Sequence, residues 1–98
     1  MYTYIYMEDI YELFKILSDR KRLEILELLL EEGYCVNDII DKVGTTQPNV
    51  SQHLRILKES GIIIVDKRGR NCFIIVRNKP QIVKVIYHAR RMIEIEEE

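Results

Sequence analysis

The chain has 98 residues and a mass of 11.7 kDa, the size of one small domain. Hydrophobic residues make up 47% and charged residues 32%, a globular rather than a disordered composition. A chain this short buries only about 60–65% of its unfolded surface, which excludes a deep, multistep active-site cleft and favours a binding module or an oligomer subunit.

The formal net charge of −1 hides a partition. Residues 1–41 carry ten acids against four bases, residues 42–79 eight bases against two acids, and residues 80–98 three bases against four acids. A basic middle in a neutral chain points to a surface that faces a polyanion. A basic but merely solvated face is the plain alternative. The longest apolar runs, Ile62–Val65 and Phe73–Val76, fall far short of the roughly 18 residues of a membrane span. The first six residues, Met1 to Tyr6, show neither a basic n-region nor a small-residue cleavage site. The expected location is the cytoplasm, with no membrane partner.

In chain order, residues 5–17 place Ile10, Leu13, Phe14 and Leu17 at helical spacing. Ser18-Asp19 offers an N-cap to a second helix carrying Leu23, Ile25, Leu26, Leu29 and Leu30, which Gly33 ends. Tyr34-Cys35-Val36 reads as a short strand. Asn37 is the candidate cap of a short helix through Ile39, Ile40 and Val43, ended by Gly44. Thr46 caps the next helix. Pro48 sits in its first turn, where a missing N–H costs nothing. That helix runs to about Glu59 with Val50, Leu54 and Leu57 on one face, and Gly61 stops it.

After Gly61 the period changes. Ile62–Asp66 and Asn71–Arg77 are rich in β-branched residues and flank Lys67-Arg68-Gly69-Arg70, which predicts a β-hairpin. Pro80 opens a last helix with Ile82, Val85, Ile86, Ala89 and Ile93 on its apolar side, followed by an acidic end. The fold class is mainly α (α+β): a winged helix-turn-helix of about five helices with a β-hairpin wing, spanning residues 1–98 as one domain.

The helix from Thr46 is the candidate recognition helix. At about 100° per residue, Ser51, Gln52 and Arg55 fall opposite the apolar face, with Gln47 at the N-terminal end. The stretch from Thr45 to His53 has no formal charge, in a chain that is 32% charged. Solvated filler would be Glu and Lys; short hydrogen-bonding residues suit base edges in a major groove. Thr46, Gln47, Asn49, Ser51 and Gln52 are therefore assigned to DNA reading, and Arg55 and Lys58 to phosphates. Lys67, Arg68 and Arg70 at the hairpin tip suit a minor groove or a phosphate ridge, although Lys and Arg on a hairpin also guard an edge strand. His53 reads as a partly buried histidine within the motif or a phosphate contact rather than a metal ligand. The first and last helices carry more apolar residues than a 98-residue monomer can cover. Ile5, Ile10, Phe14, Ile82, Val85, Ile86 and Ile93 are assigned to a dimer interface.

Two segments carry a family resemblance. Leu17-Ser18-Asp19-Arg20-Lys21-Arg22-Leu23-Glu24-Ile25-Leu26 is one, and Thr46-Gln47-Pro48-Asn49-Val50-Ser51-Gln52-His53-Leu54-Arg55-Ile56-Leu57-Lys58 is the other. Together with Gly61-Ile62-Ile63 and Arg68-Gly69-Arg70-Asn71, they resemble the ArsR/SmtB family of winged-helix repressors over roughly residues 10–90. The resemblance implies a homodimer built on the first and last helices, bound to double-stranded operator DNA with inverted symmetry. One family metal site, of the pattern Cys-Val-Cys-Asp/Glu-Leu, aligns with Cys35-Val36-Asn37-Asp38-Ile39, where Asn37 replaces the second thiol. The other uses an Asp and histidines, including a pair on the last helix, where only His88 stands. Neither ligand set is complete, so no metal and no cofactor are expected.

In a winged helix the strand around Cys35 lies beside the second hairpin strand, which carries Cys72. The two thiols are either reduced and buried or close enough to bridge and sense redox state. A winged-helix module that binds protein instead of DNA is the second functional reading, although such a module favours exposed aromatics or Leu at positions 47–52. An enzyme is a distant third, because no catalytic constellation is evident.

Overall fold

The computed structural model describes residues 10–31 and 36–94, without the side chain of Asn71. Five helices and one hairpin follow in order: α1 (Ile10–Leu17), α2 (Arg20–Glu31), α3 (Val36–Val43), α4 (Gln47–Glu59), β1 (Ile63–Arg68), β2 (Asn71–Val76) and α5 (Lys79–Ile93). Ile5, Gly33, the proposed 34–35 strand segment and Cys35 lie outside the described residues.

Local chemistry sets the boundaries. The Asp19 carboxylate accepts from the backbone N–H of Arg22 at 3.0 Å and caps α2. Thr46 caps α4 in extended backbone, its hydroxyl accepting from the N–H of Asn49. Val36, assigned to a strand, instead begins α3, so Asn37 stands inside the first turn and not at its cap. The β-branched Val36 gives no local sign of this. α5 begins one residue before Pro80, after Asn78 in the left-handed region (φ 52°).

The join between α4 and the hairpin is a complete Schellman turn. The N–H of Ile62 reaches the carbonyl of Leu57 and that of Gly61 reaches Lys58, both at 3.0 Å. Gly61 sits at φ +82°, where a side chain is strained. Ile62 and Leu57 are both buried in the core. The wing is thus anchored to the last turn of α4.

The core draws on every described element except α5. Ile25 and Leu26 from α2, Ile39 from α3, Val50 and Leu57 from α4, and Ile63 from β1 are its fully buried members. Each contributes about 1.5–3 kcal/mol of burial. β1 and β2 pair antiparallel, with Ile63 opposite Val76 and Val65 opposite Ile74. Ile63, Ile74 and Val76 are buried, whereas Ile64 and Ile75, also opposite one another, are exposed. α5 has no buried residue in its 15 positions. Ile82, assigned to the dimer interface, is half-buried and packs on the chain's own core. No described helix is long and apolar enough to cross a membrane.

Candidate nucleic-acid interface

The candidate surface is the solvent side of α4 and the tip of the wing. On α4 the buried residues are Val50, His53, Leu54 and Leu57. Gln47, Ser51, Gln52, Arg55 and Lys58 are exposed. The 3.6-residue period brings them onto one side, with the uncharged amides and hydroxyl towards the N-terminus and the two cations behind. Thr46 is exposed but its hydroxyl is engaged in capping. Asn49 is half-buried, and its side-chain amide donates to the Thr45 hydroxyl at 2.8 Å. Asn49 therefore helps to shape the helix N-terminus, a role sequence spacing alone does not show.

Lys67, Arg68 and Arg70 are exposed at the other end of the surface. Arg68 pairs with Asn71 across the turn, leaving Gly69 and Arg70 as the two-residue loop. Gly69 has φ +62°, the backbone that the first loop position of a type II′ hairpin requires. The Arg68 Nε donates to the Asp66 carboxylate at 2.9 Å. Its guanidinium lies 5.5 Å from the centre of the Phe73 ring.

His53 is 8% exposed on the inner side of α4. Its Nε2 is 3.7 Å from the Asp19 carboxylate, too long for a hydrogen bond but within ion-pair reach. Its buried Nδ1 has no hydrogen-bond partner among the described residues. The Asp19 pKa is lowered chiefly by the Arg22 N–H; burial opposes this, and the charges of His53 and Arg22 each add a smaller downward effect. The Arg22 guanidinium also donates to the carbonyl of Ile16 at 2.8 Å. Asp19, Arg22 and His53 therefore join the end of α1, the start of α2 and the inner side of α4. Spacing along one helix gives no means of pairing His53 with Asp19, 34 positions earlier.

On α1 and α5, Ile10, Phe14, Val85 and Ile93 are exposed and Ile86 is half-buried. Phe14 is 56% exposed and Ile93 is 79%. Phe14, Leu17 and Leu23 line one wall of a groove of about 350 Å³, and Val85, Ile86, Ala89 and Ile93 line the other. An ion pair between Glu27 and Arg90 ties α2 to α5 at its rim. His88 lies on the exposed part of α5, edge-on to Tyr87 at 5.3 Å. Among the described residues no three His, Cys, Asp or Glu side chains converge as metal ligands. Among the described residues Cys72 is a free, partly buried cysteine.

A helix-turn-helix with a basic wing is the architecture of a class of DNA-binding regulators. Residues 19–65 match the family described as bacterial regulatory protein, arsR family. An uncharacterised HTH-type transcriptional regulator of Methanocaldococcus jannaschii is 44% identical over 78 residues, covering 76% of this chain and 88% of that protein. The chain belongs to the ArsR family. It is also 45% identical over 60 residues to the arsenical resistance operon repressor of Escherichia coli K12, covering 60% of this chain but only 51% of that repressor. The chain therefore spans about half the length of that relative. Among solved structures it shares its fold with a winged helix-turn-helix domain of Mycobacterium bovis (TM-score 0.79, 22% identity, 91% of this chain and 85% of the other), described as homodimeric and DNA-binding.

Proposed function

We propose that the chain acts as a single winged-helix domain that pairs with a second copy and represses transcription from operator DNA in the cytoplasm. It is not an enzyme in this reading. The observation that carries it is the outer side of α4: Gln47, Ser51 and Gln52 exposed in a row, Arg55 and Lys58 beside them, and the basic wing anchored to the same helix through Gly61. Gln47, Ser51 and Gln52 read base edges, and Asn49 shapes the helix start. Arg55, Lys58, Lys67 and Arg70 hold phosphates. Ile10, Phe14, Val85, Ile86 and Ile93 meet the partner copy. A two-fold dimer sets two α4 helices about 34 Å apart, one turn of DNA, and so fits an inverted repeat.

Selection of bound duplexes from a random pool, followed by a salt titration, tests this reading. The expected result is an inverted repeat whose affinity falls steeply with salt. Gln47→Ala or Ser51→Ala should relax preference at particular bases, each worth about 1–3 kcal/mol of discrimination. Failure to enrich any sequence favours a protein-interaction module instead.

No metal switch belongs to the proposal, because Asn37 stands where a second thiolate would be needed. A tenfold loss of operator affinity with stoichiometric zinc in the reduced protein would overturn that part. A tenfold loss only on oxidation, abolished by Cys35→Ser, would make the thiols the sensor.

A further inference from the structure

The three cations of the wing are not equivalent. Among the described residues no side-chain partner is found for Lys67 or Arg70, whereas Arg68 is held twice. Its Nε donates to the Asp66 carboxylate at 2.9 Å, and its guanidinium carbon lies 5.5 Å from the centre of the Phe73 ring. Strand geometry makes this possible. Residues 66 and 68 are two apart on β1 and share one side of the hairpin, and Phe73 is the cross-strand partner of Asp66. Ile64 and Ile75 occupy the same outer side, so the core does not demand an acid there.

An isolated exposed ion pair adds little stability. Asp66 also subtracts charge from the surface that faces phosphates. What it adds is direction: with Nε on Asp66 and the Phe73 ring alongside, the two terminal amino groups of Arg68 remain as a fork for an acceptor.

Resting on the DNA-binding reading above, we propose that Asp66 is a positioning residue that presets Arg68 as the wing's specificity-determining contact, while Lys67 and Arg70 supply unspecific charge. A preset guanidinium loses little rotamer freedom on binding. It discriminates between groove widths, because it fits where the narrow groove's potential converges. A mobile cation at the same place attracts any duplex alike.

The test compares the selected operator with a random duplex for wild type, Asp66→Ala, Arg68→Ala and the double variant. All three are exposed or half-exposed changes, and circular dichroism checks that the fold is kept. The expected result is that Asp66→Ala binds random DNA as well as or better than wild type, yet lowers the operator-to-random ratio by about 2–10-fold, the range of one immobilised side chain. In the Arg68→Ala background the same change leaves the ratio unaltered, because Asp66 acts only through Arg68. Phe73→Leu gives a smaller loss in the same direction.

A readout without DNA accompanies it: ¹⁵N relaxation of the Arg68 Nε–H, restrained in wild type and as mobile as that of Arg70 in Asp66→Ala. The positioning role is overturned if Asp66→Ala raises affinity for both duplexes by one factor in both backgrounds. It is equally overturned if Arg68 Nε–H in wild type is already as mobile as Arg70. A wild-type protein that preferred no duplex would sink the DNA reading itself, and the relaxation measurement would still decide whether Arg68 is held.

Discussion

α4 and α5 are both amphipathic and nearly equal in length, yet the chain treats them differently. α4 buries Val50, Leu54 and Leu57 against α2, α3 and the hairpin, and leaves only polar and charged side chains fully exposed apart from Pro48. α5 buries none of its residues and leaves Val83, Val85, Tyr87, Met92 and Ile93 open. A helix with a closed apolar side and an open polar side is complete as a structural element and is free to meet a polar ligand. A helix whose apolar side stays open lacks its packing partner. The same chemistry, apolar residues at i, i+3 and i+4, thus serves an internal core in one case and points outward in the other.

Substitutions on the two helices should therefore behave differently. The largest effect is expected from Leu57→Ala in α4, which empties a fully buried position and costs about 2–5 kcal/mol. The unfolding free energy read from denaturant titrations should fall by that amount at every protein concentration. An equal loss from Ile93→Ala, at 79% exposure, measured at a concentration where the chain is monomeric, would erase the distinction. The second effect concerns association. Val85→Asp with Ile93→Asp should raise the dimer dissociation constant by at least 100-fold, about 2.7 kcal/mol, while helix content at high concentration stays unchanged. Unfolding instead of dissociation would show that α5 is held by its own chain after all.

A smaller effect tests the start of α4. Thr46→Ala removes the cap that accepts from Asn49 and should cost about 1 kcal/mol. Thr46→Ser should restore most of it, as read by thermal melts.

The smallest effect is a pH dependence. The Asp19 carboxyl is held below its ordinary value of 3.8, chiefly by the Arg22 N–H. A lowered carboxylate pKa contributes stability that is fully present above the ordinary value and is lost as pH falls through the folded value. Stability should therefore decline below about pH 4, and the Asp19→Asn variant, which keeps a capping oxygen, should show a flatter decline. At 43% exposure, water screens the Asp19 side chain and keeps the effect small. An unchanged acid limb in Asp19→Asn would show that other carboxylates carry it.

Much of this contrast is legible in the sequence. Thr46, Pro48, Glu59 and Gly61 bound α4 by local chemistry, and the shift from period 3.6 to period 2 after Gly61 marks the hairpin. The open side of α5 follows from Val85 and Ile93. Ile82 does not: one turn after the wing it still reaches the core, and its distance from that core is a tertiary fact. The start of α3 is also misread, because Val36 is β-branched and Asn37 a good cap in isolation, while packing of Val36 on the core favours the helix. The Asp19–His53 contact depends on interhelical approach and the Asp66–Phe73 pairing on strand register, and spacing in one chain encodes neither.

The most direct measurement is sedimentation equilibrium of the free chain at micromolar concentration and again with one molar equivalent of the selected duplex per two chains. The expected result is a free species of twice the 11.7 kDa chain mass and a complex holding two chains per duplex. A free species of a single chain mass that stays monomeric on the duplex would contradict it, because the open side of α5 would then lack the partner that sets two α4 helices one turn apart.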